Sequence, residues 1–101
     1  MITRKMVRDG YDAGIIKLIH TSEVVCQIGD IWFFFGGLTA EEYESADAYK
    51  ADIPKEDILN DIFTTLEAFR VDGERGEEAF ADEYLYYELI LKEQLGYQKA
   101  S

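Results

Sequence analysis

The stretch VVCQIGDIWFFF, Val24 to Phe35, decides how this chain folds. Two apolar runs flank Gly29-Asp30, and a two-residue loop led by glycine is the signature of a tight II′ hairpin turn. Such a loop pairs Ile28 with Ile31, Cys26 with Phe33 and Val24 with Phe35, all on one face. Every side chain in those pairs is apolar, so this is the expected core face. On the other face Gln27 stands opposite Trp32 and Val25 opposite Phe34.

Upstream, Ile15 to His20 reads as a further strand. Ile16, Leu18 and His20 extend the core face if the connection has an odd number of residues, such as Thr21-Ser22-Glu23. An even loop would drive Lys17 into the core. Residues 2–12, ITRKMVRDGYD, form a short helical or irregular lead-in ending near Gly10 or Gly14. Trp32 and Phe34 are expected to be covered by this lead-in or by a second copy; left bare, they form an interaction patch.

Downstream, Thr39 to Ile53 opens on Thr-Ala-Glu-Glu, a capped single turn, and then shows no regular pattern. Pro54 suits the first position of a helix whose first turn holds Glu56 and Asp57. Ile58, Leu59, Ile62, Phe63, Leu66 and Phe69 recur at helical spacing. Val71 to Gly76 reads as a charged glycine loop. A second helix runs from about Glu77 to Leu95, with Phe80, Tyr84, Tyr87 and Leu91 as its stripe. Leu85, Leu89 and Ile90 widen that stripe, which implies contacts on more than one side. The expected architecture is α+β. A single domain, 1–101, holds a three-stranded antiparallel sheet, two C-terminal helices packed on one face, and a short N-terminal helical lead-in.

The chain is 48% apolar, enough for one core. One cysteine, Cys26, excludes an internal disulfide and suits a reducing compartment. No signal peptide or spanning segment is evident, so a cytoplasmic location is expected.

Few residues suggest reaction chemistry. In the expected register His20 and Cys26 lie diagonally on adjacent strands, roughly 7 Å apart and aimed at the core. A thiol–imidazole pair needs closer contact and an open cleft. No phosphate loop, nucleophile elbow or Cys-x-x-Cys is present. Glu41, Glu42, Glu44 and Asp47 lack the alternating ligands and central glycine of a calcium loop. The expectation is a protein that is not an enzyme, with no cofactor and no metal.

Charge is the outstanding feature. Twenty-one acids face ten Lys and Arg, for a net charge of −11. Residues 1–20 hold Arg4, Lys5, Arg8 and Lys17 against Asp9 and Asp12, a net of +2, so the remainder carries −13. Such a surface repels nucleic acid and membrane phosphates and attracts basic partners. Part of it has an ordinary reason, because acids favour a helix N-terminus. Glu41, Glu42, Glu44, Asp47 and Asp52 nevertheless crowd one segment, followed by Glu56, Asp57 and Asp61. Asp57 and Asp61, four apart on a helix, are about 5–6 Å apart at Cβ. Duplex DNA carries about one charge per 1.7 Å of axis. These acids are the expected partner-binding residues, with Tyr43 and Tyr49 as anchors between them and Tyr84, Tyr86 and Tyr87 as further ones. The Trp32/Phe34 face is a secondary apolar patch.

In its layout and charge the chain resembles the small acidic DNA-mimic inhibitors of phages and mobile elements, among them anti-CRISPR proteins that block the DNA channel of Cas9. The segment VCQIGDIWFFFGG is also similar to small proteins carried on mobile elements of Gram-positive bacteria. The resemblance rests on no specific motif and carries over no binding residue. It implies a binding protein, acting in the cytoplasm of a bacterial host, that occupies the basic groove of a DNA- or RNA-binding protein such as a CRISPR effector nuclease. The alternative is a non-catalytic interaction or scaffolding module, homodimeric through the Trp32/Phe34 face.

Overall fold

A computed structural model describes residues 1–20, 24–34 and 45–96, with backbone only at His20, Val24 and Phe34. The elements in chain order are α1 (Arg4–Asp12), β1 (Ile16–His20), β2 (Val24–Ile28), β3 (Ile31–Phe34), α2 (Ala46–Asp52), α3 (Lys55–Glu74) and α4 (Glu78–Leu95). The fold is α+β, with one antiparallel sheet in the order β1-β2-β3.

The hairpin register is the expected one: Ile28 pairs with Ile31, Cys26 with Phe33, Gln27 with Trp32 and Val25 with Phe34. Gly29 has φ +63° and Asp30 does not have a positive φ, the pattern of a II′ turn. β1 pairs Ile16 with Ile28, Leu18 with Cys26 and His20 with Val24, so three residues separate the strands. Residues 21–23 themselves, like Phe35, lie outside the described residues.

Ile16, Leu18, Cys26, Ile28 and Phe33 form the sheet's side of the core. Ile58, Leu59, Ile62 and Leu66 of α3, with Tyr84, Tyr87 and Leu91 of α4, form the other. Phe33 stands edge-on to Phe69 at 5.3 Å between ring centroids, and Phe69 stacks on Phe80 at 5.4 Å. These contacts tie β3 to both long helices.

The lead-in is the regular helix α1, started by the Thr3 hydroxyl, which accepts the Met6 N–H at 3.1 Å. It joins the core face rather than covering the other. Ile2, Met6 and Val7 are buried in the main cluster, and α1 packs closely because Gly10 has no side chain. A Cβ there would stand 2.7 Å from Leu91 Cδ2 and 3.2 Å from Ile16. The lead-in therefore does not cover Trp32 on the opposite face, which is 55% exposed. Val25, on that same face, is buried.

Four further expectations need correction. Ala46–Asp52 forms the helix α2, capped by the Ser45 hydroxyl, which accepts the Ala48 N–H at 3.1 Å. Pro54 caps α3 rather than occupying its first turn, its carbonyl accepting from Asp57 and Ile58. The residues Val71–Glu74 continue α3 instead of forming a loop. Gly73 permits this, since α4 crosses so close that a Cβ would lie 2.8 Å from the Ala81 Cα. On α4, Leu85 and Leu89 are exposed, so the helix buries a narrower stripe than expected. Gly96, at φ +77°, ends it in the left-handed conformation.

Candidate interaction surface

The nominated residues separate into three groups. Glu41, Glu42, Tyr43 and Glu44 lie outside the described residues, as does the Phe34 side chain. Tyr49 is 2% exposed, part of the core through α2, and cannot anchor a partner. Tyr84 and Tyr87 are buried for the same reason: each projects from the inner face of α4. Asp47, Asp52, Glu56 and Asp57 are exposed and Asp61 partly so.

The exposed acids are unequal. Arg8 reaches Glu56 at 2.8 Å, Lys55 reaches Asp12 at 2.6 Å, and Lys50 stands 3.6 Å from Asp47. Arg4 donates to Asn60 and lies over the Phe63 ring at 4.3 Å. The basic face of α1 thus rests on the start of α3. Each such exposed pair contributes only about 0–1 kcal/mol, but together they lower the field of Glu56 and its neighbours.

Other acids have no cationic partner among the described residues: Asp57 and Asp61 on α3, Asp72 at its far end, and Glu77, Glu78, Asp82 and Glu93 along α4. Because α3 and α4 run as an antiparallel hairpin, these form two groups at its opposite ends. On α3, 11 to 15 residues separate Asp61 and Asp57 from Asp72, about 16–22 Å at 1.5 Å per residue. Between the groups, Arg70 donates to Glu67 through Nε and Nη2 and to Glu74 through Nη1. Hydrogen bonding to Arg70 holds the Glu67 carboxyl below its ordinary value, against a smaller desolvation effect.

Glu88 is part of the fold rather than of the surface. Burial pushes its carboxyl upward, yet the Met1 ammonium and Lys92 prevail and hold it below the ordinary value. One turn earlier on α4 the Tyr84 hydroxyl accepts the buried Ile2 N–H at 2.7 Å.

Cys26 is fully buried, and desolvation pushes its thiol far above the usual range, which leaves it a poor nucleophile. Among the described residues no group of three or more His, Cys, Asp or Glu side chains is arranged to hold a metal ion. No described helix is long and apolar enough to cross a membrane.

One concavity joins apolar and acidic character. Trp32, Phe33, Thr65, Phe69, Phe80 and Glu83 line an open groove of about 320 Å³. Trp32 at 55% and Phe80 at 36% exposure form its rim. The Tyr87 hydroxyl donates to Glu83 Oε2 at 3.1 Å from below. Trp32 was evident in the sequence, whereas Phe80 read as core and no local pattern singles out Glu83. Their convergence depends on the ring contacts that bring Phe33 of β3 against Phe69 of α3 and Phe80 of α4 against Phe69. Comparison with protein-family models, with curated proteins and with solved structures finds no match.

Proposed function

We propose that this chain is a non-catalytic binding protein whose carboxylate surface occupies the basic groove of a DNA- or RNA-binding protein, a guide-loaded Cas9-type nuclease being the case to test. The observation that carries this reading is the set of solvent-facing acids, Asp57, Asp61, Glu77, Glu78 and Asp82, that have no cation beside them among the described residues. They hold a negative field on a rigid pair of helices, which attracts a basic surface and repels phosphate.

The test is capture of the nuclease by the tagged protein at low and high salt, with duplex DNA as competitor. Binding should weaken steeply with salt and yield to the duplex. Charge reversal at Asp57 with Asp61, and separately at Glu78 with Asp82, should identify which end of the hairpin makes the contact. Affinity indifferent to salt and to both reversals overturns the reading.

A second reading is favoured by the exposure of Trp32: self-association through the outer face of the sheet. It requires a dimer that Trp32→Ala disperses, measured by sedimentation equilibrium, and a monodisperse monomer removes it.

A further inference from the structure

We infer that the groove between Trp32, Phe80 and Glu83 is a binding site for an arginine side chain of a basic protein partner. This deepens the proposed function and rests on it.

The walls are aromatic. Phe33, Phe69 and Phe80 are already in contact, with Phe69 and Phe80 parallel within 14°. Trp32 adds an exposed indole at the rim. A planar, weakly hydrated guanidinium is the cation best suited to such rings, stacking where a compact, strongly hydrated ammonium would not. The groove's volume, about 320 Å³, is enough to admit a guanidinium and its stem. Glu83 supplies the opposite charge. Tyr87 occupies Oε2, which fixes the carboxylate against the floor. Among the described residues nothing bonds Oε1, which leaves it for a charge-assisted bond. Glu78 and Asp82 lie within a turn or two on the same helix and add a negative field around the rim. Charge complementarity thus selects a basic occupant, and ring geometry selects arginine over lysine.

Trp32 is the only tryptophan in the chain, so its emission reports on the rim of this groove. The experiment titrates the full-length protein with hexa-arginine and with hexa-lysine. Labelled-peptide anisotropy measures binding, while Trp32 emission measures occupancy of the groove. Saturable change in Trp32 emission with hexa-arginine is expected, with hexa-lysine about fivefold or more weaker. Glu83→Gln should weaken hexa-arginine by about tenfold, against a much smaller loss for Asp57→Asn at the far end of the hairpin. Phe80→Ala, at a half-open rim position, should weaken binding with the circular dichroism unchanged.

If hexa-arginine binds by anisotropy while Trp32 stays silent, the groove inference is overturned and the acidic-surface reading stands. Equal affinity for both peptides, or equal losses from Glu83→Gln and Asp57→Asn, also overturns it. Absence of binding by either peptide at low salt removes both readings.

Discussion

Arg8 and Glu56 stand 48 residues apart in sequence and meet at 2.8 Å across α1 and α3. The basic end of the chain is thereby folded onto the first acidic turn of its longest helix, and lowers the charge that a partner would meet there.

Arg8→Glu should therefore separate stability from binding. Its side chain and that of Glu56 are 46% and 69% exposed, so the lost pair costs at most about 1 kcal/mol in urea denaturation. Affinity for hexa-arginine at low salt should rise about twofold to fivefold as the shielding charge is removed. A loss of several kcal/mol, or weaker peptide binding, would show that Arg8 holds α1 in place rather than shielding α3.

Tyr84→Phe removes one oxygen and should cost much more. The hydroxyl is the acceptor for the buried Ile2 N–H at 2.7 Å, tying residues 82 apart. Phenylalanine fills the same space but leaves that donor without a partner, at about 1–3 kcal/mol. Urea denaturation measures the total, and faster amide exchange at Ile2 would localise it. An unchanged midpoint would mean that water replaces the hydroxyl.

Gly73→Ala sets two effects against each other. Alanine is the better helix former by about 1 kcal/mol, and Gly73 is within α3. Its Cβ, however, would stand 2.8 Å from the Ala81 Cα and 2.9 Å from the Ala81 nitrogen, which are backbone atoms that cannot rotate away. The clash should prevail, with a net loss of about 1–3 kcal/mol by thermal or urea unfolding. Stabilisation would show that the α3–α4 hairpin can open without consequence for the core.

The sheet was legible from the sequence because a strand's period is exact enough to carry register. Gly29-Asp30 set the hairpin, and keeping Lys17 out of the core set β1. The helix α2 was missed although Ser45 is a good N-cap, because seven residues give too few turns for a stripe to emerge. Gly73 misled in the opposite direction: a glycine read as a breaker serves close helix packing. Tyr49 failed for a related reason, since an amphipathic ring fits a core and an interface equally well. The charged surface was the least legible part. Which acids are shielded depends on contacts such as Arg8–Glu56, and no local pattern encodes those. The convergence of Trp32, Phe80 and Glu83 is likewise a product of tertiary packing.

Glu67 and Arg70 provide a pH-dependent signature of the folded hairpin. Two nitrogens of Arg70 bond the Glu67 carboxylate at 2.9–3.3 Å, and the Glu67 carboxyl lies below its ordinary value chiefly for that reason. A folded pKa below the unfolded one means that the contribution is fully present above the unfolded value, near 4.3. It disappears as pH falls through the folded value. Arg70→Met keeps most of the side chain's apolar stem and removes the cation. In that variant the Glu67 carboxyl should rise into or above the ordinary carboxylate range, since burial still raises it once Arg70 is gone, read from its side-chain carbon resonance, and stability should fall less steeply as pH drops below that range. A Glu67 carboxyl that still titrates low without Arg70 would assign the shift to another group at the centre of the hairpin. The same variant leaves Glu67 and Glu74 without their shared cation, so it should also strengthen salt-sensitive binding of hexa-arginine, a result that Glu67→Gln should not reproduce.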